Sequence, residues 1–155
     1  SLVTADLYEG TRQASIDDVG GILELIEPLE QAGVLVPRSR ERLETNIGHY
    51  TVVDRDGLIV ACAALLPFEK KKAGEIACFA VHPDYRGSGY GTALLEHLEQ
   101  RARRLGLSRL FLLTTRTSHW FMERGFSPAG LTALPVARRR LYNYQRNAKI
   151  YVKAF

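Results

Sequence analysis

The chain has 155 residues, of which 46% are hydrophobic and 25% charged, and its net charge is +4. This composition and length predict one globular domain with a single hydrophobic core. The sequence contains no run of about 18 apolar residues, and its opening residues lack the basic and apolar regions of a signal peptide, so neither a membrane span nor a leader is predicted.

The first half of the chain predicts a strand, two helices and a β-hairpin. Residues 7–14 alternate weakly and are interpreted as an opening strand, after which Ser15 and Asp18 form a capping-box pattern. Ser39 is the expected N-cap of a second, short helix. The hairpin is predicted for residues 50–66 around an Asp-Gly turn. Apolar residues at helical spacing mark the first helix, which Gly33 ends: Ile16, Val19, Ile22, Leu23, Ile26 and Leu29.

The second half of the chain predicts alternating strands and helices. Residues 75–81 and 110–115 are apolar almost throughout, which indicates strands buried on both faces. A short helix is expected over 118–126, another after Pro135, and a closing strand over 149–155. The apolar positions that mark the long amphipathic helix, which Gly106 closes, are Gly91, Leu94, Leu95, Leu98, Ala102 and Leu105.

The cysteines and the basic residues narrow the class of protein. Cys62 and Cys78 both lie in apolar runs, so we interpret them as buried reduced thiols in a cytoplasmic protein. The histidines and cysteines show no metal-ligand spacing, and no metal is expected. The basic segments 101–105 and 137–141 either form solvated helix faces or attract an anionic ligand. No nucleic-acid-binding motif accompanies them.

The most informative segment is a glycine-rich loop between the strand at 75–81 and the long helix. Its sequence is Arg86-Gly87-Ser88-Gly89-Tyr90-Gly91. Glycines let the backbone turn tightly and approach a ligand, and the N–H groups at a helix start bind phosphate oxygens. The P-loop is excluded because its Gly-Lys-Ser/Thr ending is absent, and the spacing differs from the dinucleotide fingerprint. A glycine-rich turn without a ligand is the alternative.

Arg-x-x-Gly-x-Gly after an apolar strand and a His-Pro turn resembles the pyrophosphate loop of the GNAT acetyltransferases. The strand, short helix and Gly-Phe ending of residues 110–126 resemble the next block of that family. The resemblance implies an α/β (α+β) fold: a mixed, mostly antiparallel sheet, flanked by helices, with a splay between its two central strands that admits the pantetheine arm of acetyl-CoA. It implies coenzyme contacts from Phe79, Ala80, Val81 and the loop Arg86, Gly87, Ser88, Gly89, Tyr90 and Gly91.

Six separated blocks, taken together, are similar to the acetyltransferase domain of the bacterial N-acetylglutamate synthases: 17–30, 36–44, 52–68, 74–86, 113–126 and 141–147. This resemblance implies acetylation of L-glutamate by acetyl-CoA, the first step of arginine biosynthesis, by direct attack in a ternary complex. Two alternatives stay open. One is an acetyltransferase of another amino acid or of a protein N-terminus, and the other is a non-catalytic acetyl-CoA-binding module.

The same resemblance assigns roles to individual residues. Arg38 and Arg146 are expected to grip the two substrate carboxylates, with Arg116 as a third candidate. Without the resemblance, each of these arginines would be interpreted as a surface residue. Glu75 is the expected general base, acting through an ordered water, and its alternative role is a surface charge at a strand end.

Stabilisation of the oxyanion is expected from a main-chain N–H near Cys78 or Phe79, with no nucleophilic role for the Cys78 thiol. The tyrosine that serves many GNAT domains as general acid is replaced here by Phe121. Thr114 is therefore the candidate substrate contact or proton donor, although the thiolate can also leave without an acid. Trp120 and Phe121 are expected to pack in the core with Phe126. His119 is either a pocket residue or a surface residue.

Synthases of this kind usually carry an amino-acid-kinase-like domain before the acetyltransferase domain, and nothing in the chain resembles it. We expect residues 1–155 to be one GNAT domain, with 1–6 a remnant of the segment that joins the two domains. Homo-oligomer formation is possible for the family, whereas nucleic acid and membrane partners are not expected.

Overall fold

The computed structural model describes residues 10–144 and 146–155. The strands in this part of the chain are β1 (Thr11–Gln13), β2 (Tyr50–Arg55), β3 (Leu58–Phe68), β4 (Ala73–Val81), β5 (Arg109–Thr114), β6 (Ser127–Ala129) and β7 (Lys149–Ala154). They form one sheet in the order β1-β2-β3-β4-β5-β7-β6. The pairing of β4 with β5 is parallel, and the pairs β1–β2, β2–β3, β5–β7 and β6–β7 are antiparallel. The predicted mixed, mostly antiparallel sheet is therefore confirmed.

The α-helices of the described residues are α1 (Val19–Gln31), α2 (Arg40–Asn46), α3 (Tyr90–Arg104), α4 (Ser118–Met122) and α5 (Val136–Arg139). None of them combines the length and the apolar character that crossing a membrane requires. By its contacts the chain divides into two compact units. Of the described residues, the first comprises 10–65 together with Cys78–Arg101, and the second comprises Leu66–Ala77 together with Ala102–Phe155.

The first unit is built on the hairpin of β2 and β3. Asp56 (φ 53°) and Gly57 (φ 86°) both adopt the left-handed conformation that a tight two-residue hairpin turn requires. A Cβ atom on Gly21 would lie 2.7 Å from Cγ1 of Ile59, so the glycine lets α1 approach β3 closely. The core of this unit is fully buried and includes Ile22, Ile26, Leu43, Val52, Val53, Leu94 and Leu98.

The second unit has β5 as its central strand. In this unit the parallel ladder joins Ala73–Glu75 of β4 to Arg109–Phe111 of β5, and its last pair is Glu75 with Phe111. A ladder of only three pairs agrees with the expected splay between the two central strands. On the other side of β5, all six residues pair with β7. The core of this unit contains Ala73, Phe111, Leu134 and Ile150.

Most predicted elements are confirmed. Strand β6 (Ser127–Ala129) was not predicted, the helix predicted over 118–126 ends at Met122, and the other differences lie at element ends. Ile16 belongs to a separate 3-10 turn before α1 and is 55% exposed, while Leu105 lies beyond the end of α3 and is 48% exposed. Strand β5 ends at Thr114, one residue earlier than predicted. Strand β4 is buried on both faces only in its first half, because burial alternates from Ala77 onward. The predicted linker remnant at 1–6 and the first residues of the opening strand lie outside the described residues.

Candidate functional site

The glycine-rich loop in the first unit has a backbone shape that requires glycine. It follows β4 and a 3-10 turn at Pro83–Tyr85, and it leads into α3. Gly87 (φ 79°) and Gly89 (φ 87°) both take the left-handed conformation, which costs other residues steric strain. The loop from Arg86 to Gly89 is exposed. Its main chain is therefore accessible to a ligand.

The start of α3 adds main-chain N–H donors and the positive end of the helix dipole, and both favour binding of an anion. The N–H of Ala93 donates to the carbonyl of Gly89 at 3.0 Å, which closes the first turn of the helix. The N–H groups of Tyr90 and Gly91 precede that turn and have no partner in the helix, and the helix dipole places positive charge beside them. The Tyr90 ring is buried against Tyr85, so only its main chain can serve a ligand. Loop and helix start together fit the diphosphate of a coenzyme.

Strand β4 contains an unusual residue at the position predicted to stabilise the oxyanion. Cys78 has φ 54° inside a strand and is 4% exposed. A non-glycine residue in this conformation costs about 1–3 kcal/mol and persists where its surroundings hold it. Beyond Cys78, Phe79 and Val81 are half-buried while Ala80 is buried. The strand thus offers one partly accessible face where the resemblance predicts coenzyme contacts.

The Cys78 thiol lies in a small buried polar cluster with Cys62 and Tyr50. The Cys62 thiol donates to the main-chain carbonyl of Cys78, with 3.5 Å between sulfur and oxygen. The neighbouring Cys62 and Tyr50 side chains, together with the positive charge of Arg38, lower the pKa of Cys78, and burial opposes them. The hydrogen bond to Cys78 and burial raise the pKa of Cys62, so its thiol keeps its proton.

Arg38 lies in the loop before α2 and is half-buried. Its main-chain N–H donates to the Glu30 carboxylate at 2.8 Å, and Nη1 of its guanidinium donates to the carbonyl of Val36 at 2.9 Å. Its positive charge helps to lower the pKa of Cys78 and opposes the rise in the pKa of Tyr50. Arg38 is therefore more than an isolated surface arginine.

In the second unit, Glu75 is buried and paired with an arginine that the sequence did not single out. Nε of Arg138 donates to Oε1 of Glu75 at 2.6 Å, and Nη2 donates to Oε2 at 3.2 Å. The side chains are 8% exposed for Glu75 and 19% for Arg138. The interpretation of Glu75 as a surface charge at a strand end is therefore wrong, and so is the interpretation of the 137–141 run as uniformly solvated. Arg138 lies on α5 beside the better exposed Arg140.

The hydroxyl of Thr114 organises the turn that follows β5. Its Oγ1 lies 2.8 Å from Oγ1 of Thr117 and accepts from the N–H groups of Thr117 (3.1 Å) and Arg116 (3.3 Å). Thr114 is buried, whereas Arg116 is exposed. The structure thus gives the Thr114 hydroxyl a local structural role in addition to the predicted contact with substrate.

Arg146 lies in the second unit, in the turn before β7, and Arg38 lies in the first. The main-chain N–H of Arg146 donates to Oδ1 of Asn143 at 3.1 Å, and the residue is half-buried. Of the predicted site residues, Glu75 is paired with Arg138 in the second unit, and the charge of Arg38 acts on the pKa of Cys78 in the first. The role of Arg146 stays a prediction.

The short helix α4 separates core residues from surface residues. Phe121 and Phe126 are buried and in edge contact, as predicted. The Trp120 ring is only partly buried: it is in edge contact with Phe121, and the Arg124 guanidinium stacks over it at 3.8 Å. It therefore lies at the margin of the core, whereas the prediction places it inside. His119 is a surface residue, 86% exposed and 2.8 Å from the Glu123 carboxylate.

Sequence reasoning missed Arg138, Tyr50 and the polar role of Cys62. Three consecutive arginines at 138–140 carry no local signal that marks the first as buried. Tyr50 and Cys62 read as ordinary residues of apolar strands, and only their contact with Cys78 distinguishes them. Among the described residues, no group of three His, Cys, Asp or Glu side chains could hold a metal ion.

The fold and the glycine-rich loop define the class of protein. The chain belongs to the acetyltransferase (GNAT) family, whose family model matches residues 21–126. An amino-acid acetyltransferase of Azotobacter vinelandii is 60% identical over 154 residues, which cover 99% of this chain and 36% of that protein. The chain thus spans about a third of the length of this curated relative.

Two solved structures of N-acetylglutamate synthase from Neisseria gonorrhoeae are similar to this chain. The complex with coenzyme A and N-acetyl-glutamate has 46% identity and a TM-score of 0.89, covering 93% of this chain and 34% of the synthase. The complex with coenzyme A and L-arginine has 44% identity and a TM-score of 0.83, covering 94% and 32%. Because these identities extend over nearly the whole chain, the likeness goes beyond a shared fold.

Proposed function

We propose that this chain transfers the acetyl group of acetyl-CoA to the amine of L-glutamate and releases N-acetyl-L-glutamate and CoA, the first step of arginine biosynthesis. One observation carries the proposal: the synthase bound to coenzyme A and N-acetyl-glutamate matches 93% of this chain at 46% identity. The left-handed glycines and the open start of α3 support it independently, because they fit the coenzyme diphosphate. A cytoplasmic site of action agrees with the two free thiols.

In the proposed reaction the coenzyme supplies an activated acetyl thioester. The main-chain N–H groups of Gly87–Gly91 hold its diphosphate, and the half-buried face of β4 lies along its pantetheine arm. The peptide at Cys78–Phe79 donates to the acetyl oxygen as negative charge develops there. Attack by the amine is direct, so the Cys78 thiol forms no bond to the acetyl group.

Glu75 accepts the proton that the amine must lose, through a water molecule. Arg138 occupies both oxygens of this carboxylate with hydrogen bonds. A bidentate guanidinium stabilises the charged carboxylate and orients it, and a carboxylate oxygen retains a further lone pair for a water. Arg138 therefore fixes the position of the Glu75 carboxylate and leaves it an oxygen lone pair for the water.

Recognition of glutamate requires guanidinium groups for two carboxylates. Arg38 and Arg146 are proposed for this role, and Arg116 is a weaker candidate because it is exposed. Thr114 is proposed as a contact or proton donor. Its hydroxyl accepts two main-chain N–H groups, so its own proton points to Oγ1 of Thr117 at 2.8 Å and must turn from that neighbour to serve the substrate or the thiolate.

The test is release of CoA thiol from acetyl-CoA in the presence of single amino acids or peptides. We expect release with L-glutamate and very little with L-aspartate, L-glutamine or peptides. Glu75→Gln should reduce turnover by about 10²-fold or more, the usual range for a general base, while the exposed control Glu69→Gln retains it. Turnover of peptides without turnover of free glutamate contradicts the proposed substrate.

The arginines are tested by affinity for each ligand. Arg38→Ala and Arg146→Ala should raise the KM for glutamate and leave the dissociation constant of acetyl-CoA unchanged. Arg140→Ala removes an exposed arginine of the basic segment 137–141 and serves as the matched control. An unchanged KM in both variants excludes them as the carboxylate-binding residues.

A further inference from the structure

Cys78 is held in its left-handed conformation by contacts at two different points. Its carbonyl accepts the thiol of Cys62, which is completely buried on β3. The side chain of Tyr50, which is 3% exposed on β2, is near the Cys78 sulfur and helps to lower the pKa of that thiol. Both partners belong to the same unit as Cys78. A residue with φ 54° in the middle of a strand needs such support.

The contact with Cys62 has a geometric consequence for the next residue. A trans peptide unit is planar, and its C=O and N–H point in opposite directions. The carbonyl of Cys78 and the N–H of Phe79 belong to one such unit. When the Cys62 thiol fixes the direction of the carbonyl, it also fixes the direction of the Phe79 N–H.

Both partners are suited to act as lasting donors. Burial raises the pKa of Tyr50, and the hydrogen bond to Cys78 together with burial raises that of Cys62. Each group therefore keeps its proton at neutral and mildly alkaline pH. A Cys62 thiol that ionised in this range would lose the hydrogen bond to the carbonyl of Cys78.

We propose that Cys62 and Tyr50 are positioning residues, which fix the left-handed conformation of Cys78 and so aim the Cys78–Phe79 peptide at the acetyl oxygen. The orientation of this peptide is a structural claim of its own, and its catalytic meaning rests on the proposed function. Neither side chain needs to touch acetyl-CoA or the amine. Their effect should therefore fall on kcat and leave the affinity for the coenzyme intact.

The experiment compares Cys62→Ala, Tyr50→Phe and the double variant with the wild type. Crystal structures report φ at residue 78, and steady-state kinetics report kcat with L-glutamate and the KM for acetyl-CoA. We expect the double variant to lose the positive φ. Cys62→Ala should lower kcat about three- to tenfold, the effect of one net hydrogen bond, and Tyr50→Phe should lower it less. Both variants should keep a KM for acetyl-CoA within about twofold of the wild type. Cys62→Ser retains a donor and should recover most of the lost kcat.

A general loss of packing is distinguished by Val60→Ala. Val60 is also completely buried on β3, and its truncation should lower the melting temperature without lowering kcat. The proposal is overturned if residue 78 keeps its positive φ in the double variant, or if Val60→Ala reduces kcat as much as Cys62→Ala. If the wild-type chain does not acetylate glutamate, the proposed function fails. The φ at residue 78 in the variants still decides whether Cys62 and Tyr50 position this peptide.

Discussion

The ion pair between Glu75 and Arg138 gives a sharp prediction of stability. Replacing Arg138 by Met leaves the Glu75 carboxylate 8% exposed and without its guanidinium partner. Removal of one partner from a buried pair costs about 3–5 kcal/mol. Because the Arg138 side chain is itself 19% exposed, water can replace part of the interaction, and we expect a loss of about 3 kcal/mol. In a chain of this length that lowers the melting temperature by about 6–12 °C.

A double-mutant cycle separates this interaction from the loss of packing. The double variant Glu75→Gln with Arg138→Met contains no buried charge at either position. It should be more stable than Arg138→Met alone, by about 2 kcal/mol in urea unfolding at pH 7. The exposed Arg140→Met serves as the control and should change stability by less than about 0.5 kcal/mol. A double variant no more stable than Arg138→Met refutes the reasoning, because it would mean that the carboxylate does not depend on Arg138.

Three further predictions concern the cap of α1, the glycine-rich loop and the turn after β5. The hydrogen bond from Arg12 lowers the pKa of Asp18. Its stabilising effect is therefore complete above the unfolded value of 3.8 and is lost as pH falls through the lower folded-state pKa. Asp18→Asn should cost about 1–3 kcal/mol in urea unfolding at pH 7 and progressively less as pH falls below 3.8. A cost that does not change with pH contradicts the ionic contribution. A Cβ atom on Gly87 would meet no neighbouring atom, but alanine at this position must adopt φ 79°. The resulting strain of about 1–2 kcal/mol should weaken acetyl-CoA binding of Gly87→Ala in calorimetry. The control Gly48→Ala should leave binding unchanged. Equal affinity in the two variants contradicts the role of the left-handed conformation. Thr114→Val removes the acceptor of the turn and should lower stability in thermal unfolding by about 1–2 kcal/mol, with Thr114→Ser near the wild type; equal losses in both would show that the hydroxyl contributes nothing.

Local signals were sufficient for most of the fold and for the coenzyme loop. The Asp56-Gly57 turn, the Ser39 cap and the glycines of the loop each impose a backbone conformation on their own neighbours, so short segments of sequence predict them. The Ser39 side chain indeed accepts from the N–H of Arg42 at 3.1 Å. Burial of the strands follows in the same way from continuous apolar runs.

Contacts between distant residues could not be predicted in this way. Glu75 and Arg138 are 63 positions apart, and nothing in a run of three arginines marks the one that turns inward. The left-handed Cys78 contradicts the preference of its own residue type, so no local rule could anticipate it. The roles of Arg38 and Arg146 came from resemblance to a family, and the residues around them gave no independent indication.

Isothermal titration calorimetry with three related ligands tests most directly whether the glycine-rich loop binds a coenzyme diphosphate. Acetyl-CoA and its 3′-dephospho form both contain the diphosphate, whereas S-acetylpantetheine lacks it. We predict that the first two bind the folded chain and that S-acetylpantetheine binds at least about 100-fold more weakly, since it offers the amides of Gly87–Gly91 no anion. Equal affinity for all three ligands, or no association of acetyl-CoA with folded protein, would contradict the assignment of this loop and with it the proposed acetyl transfer.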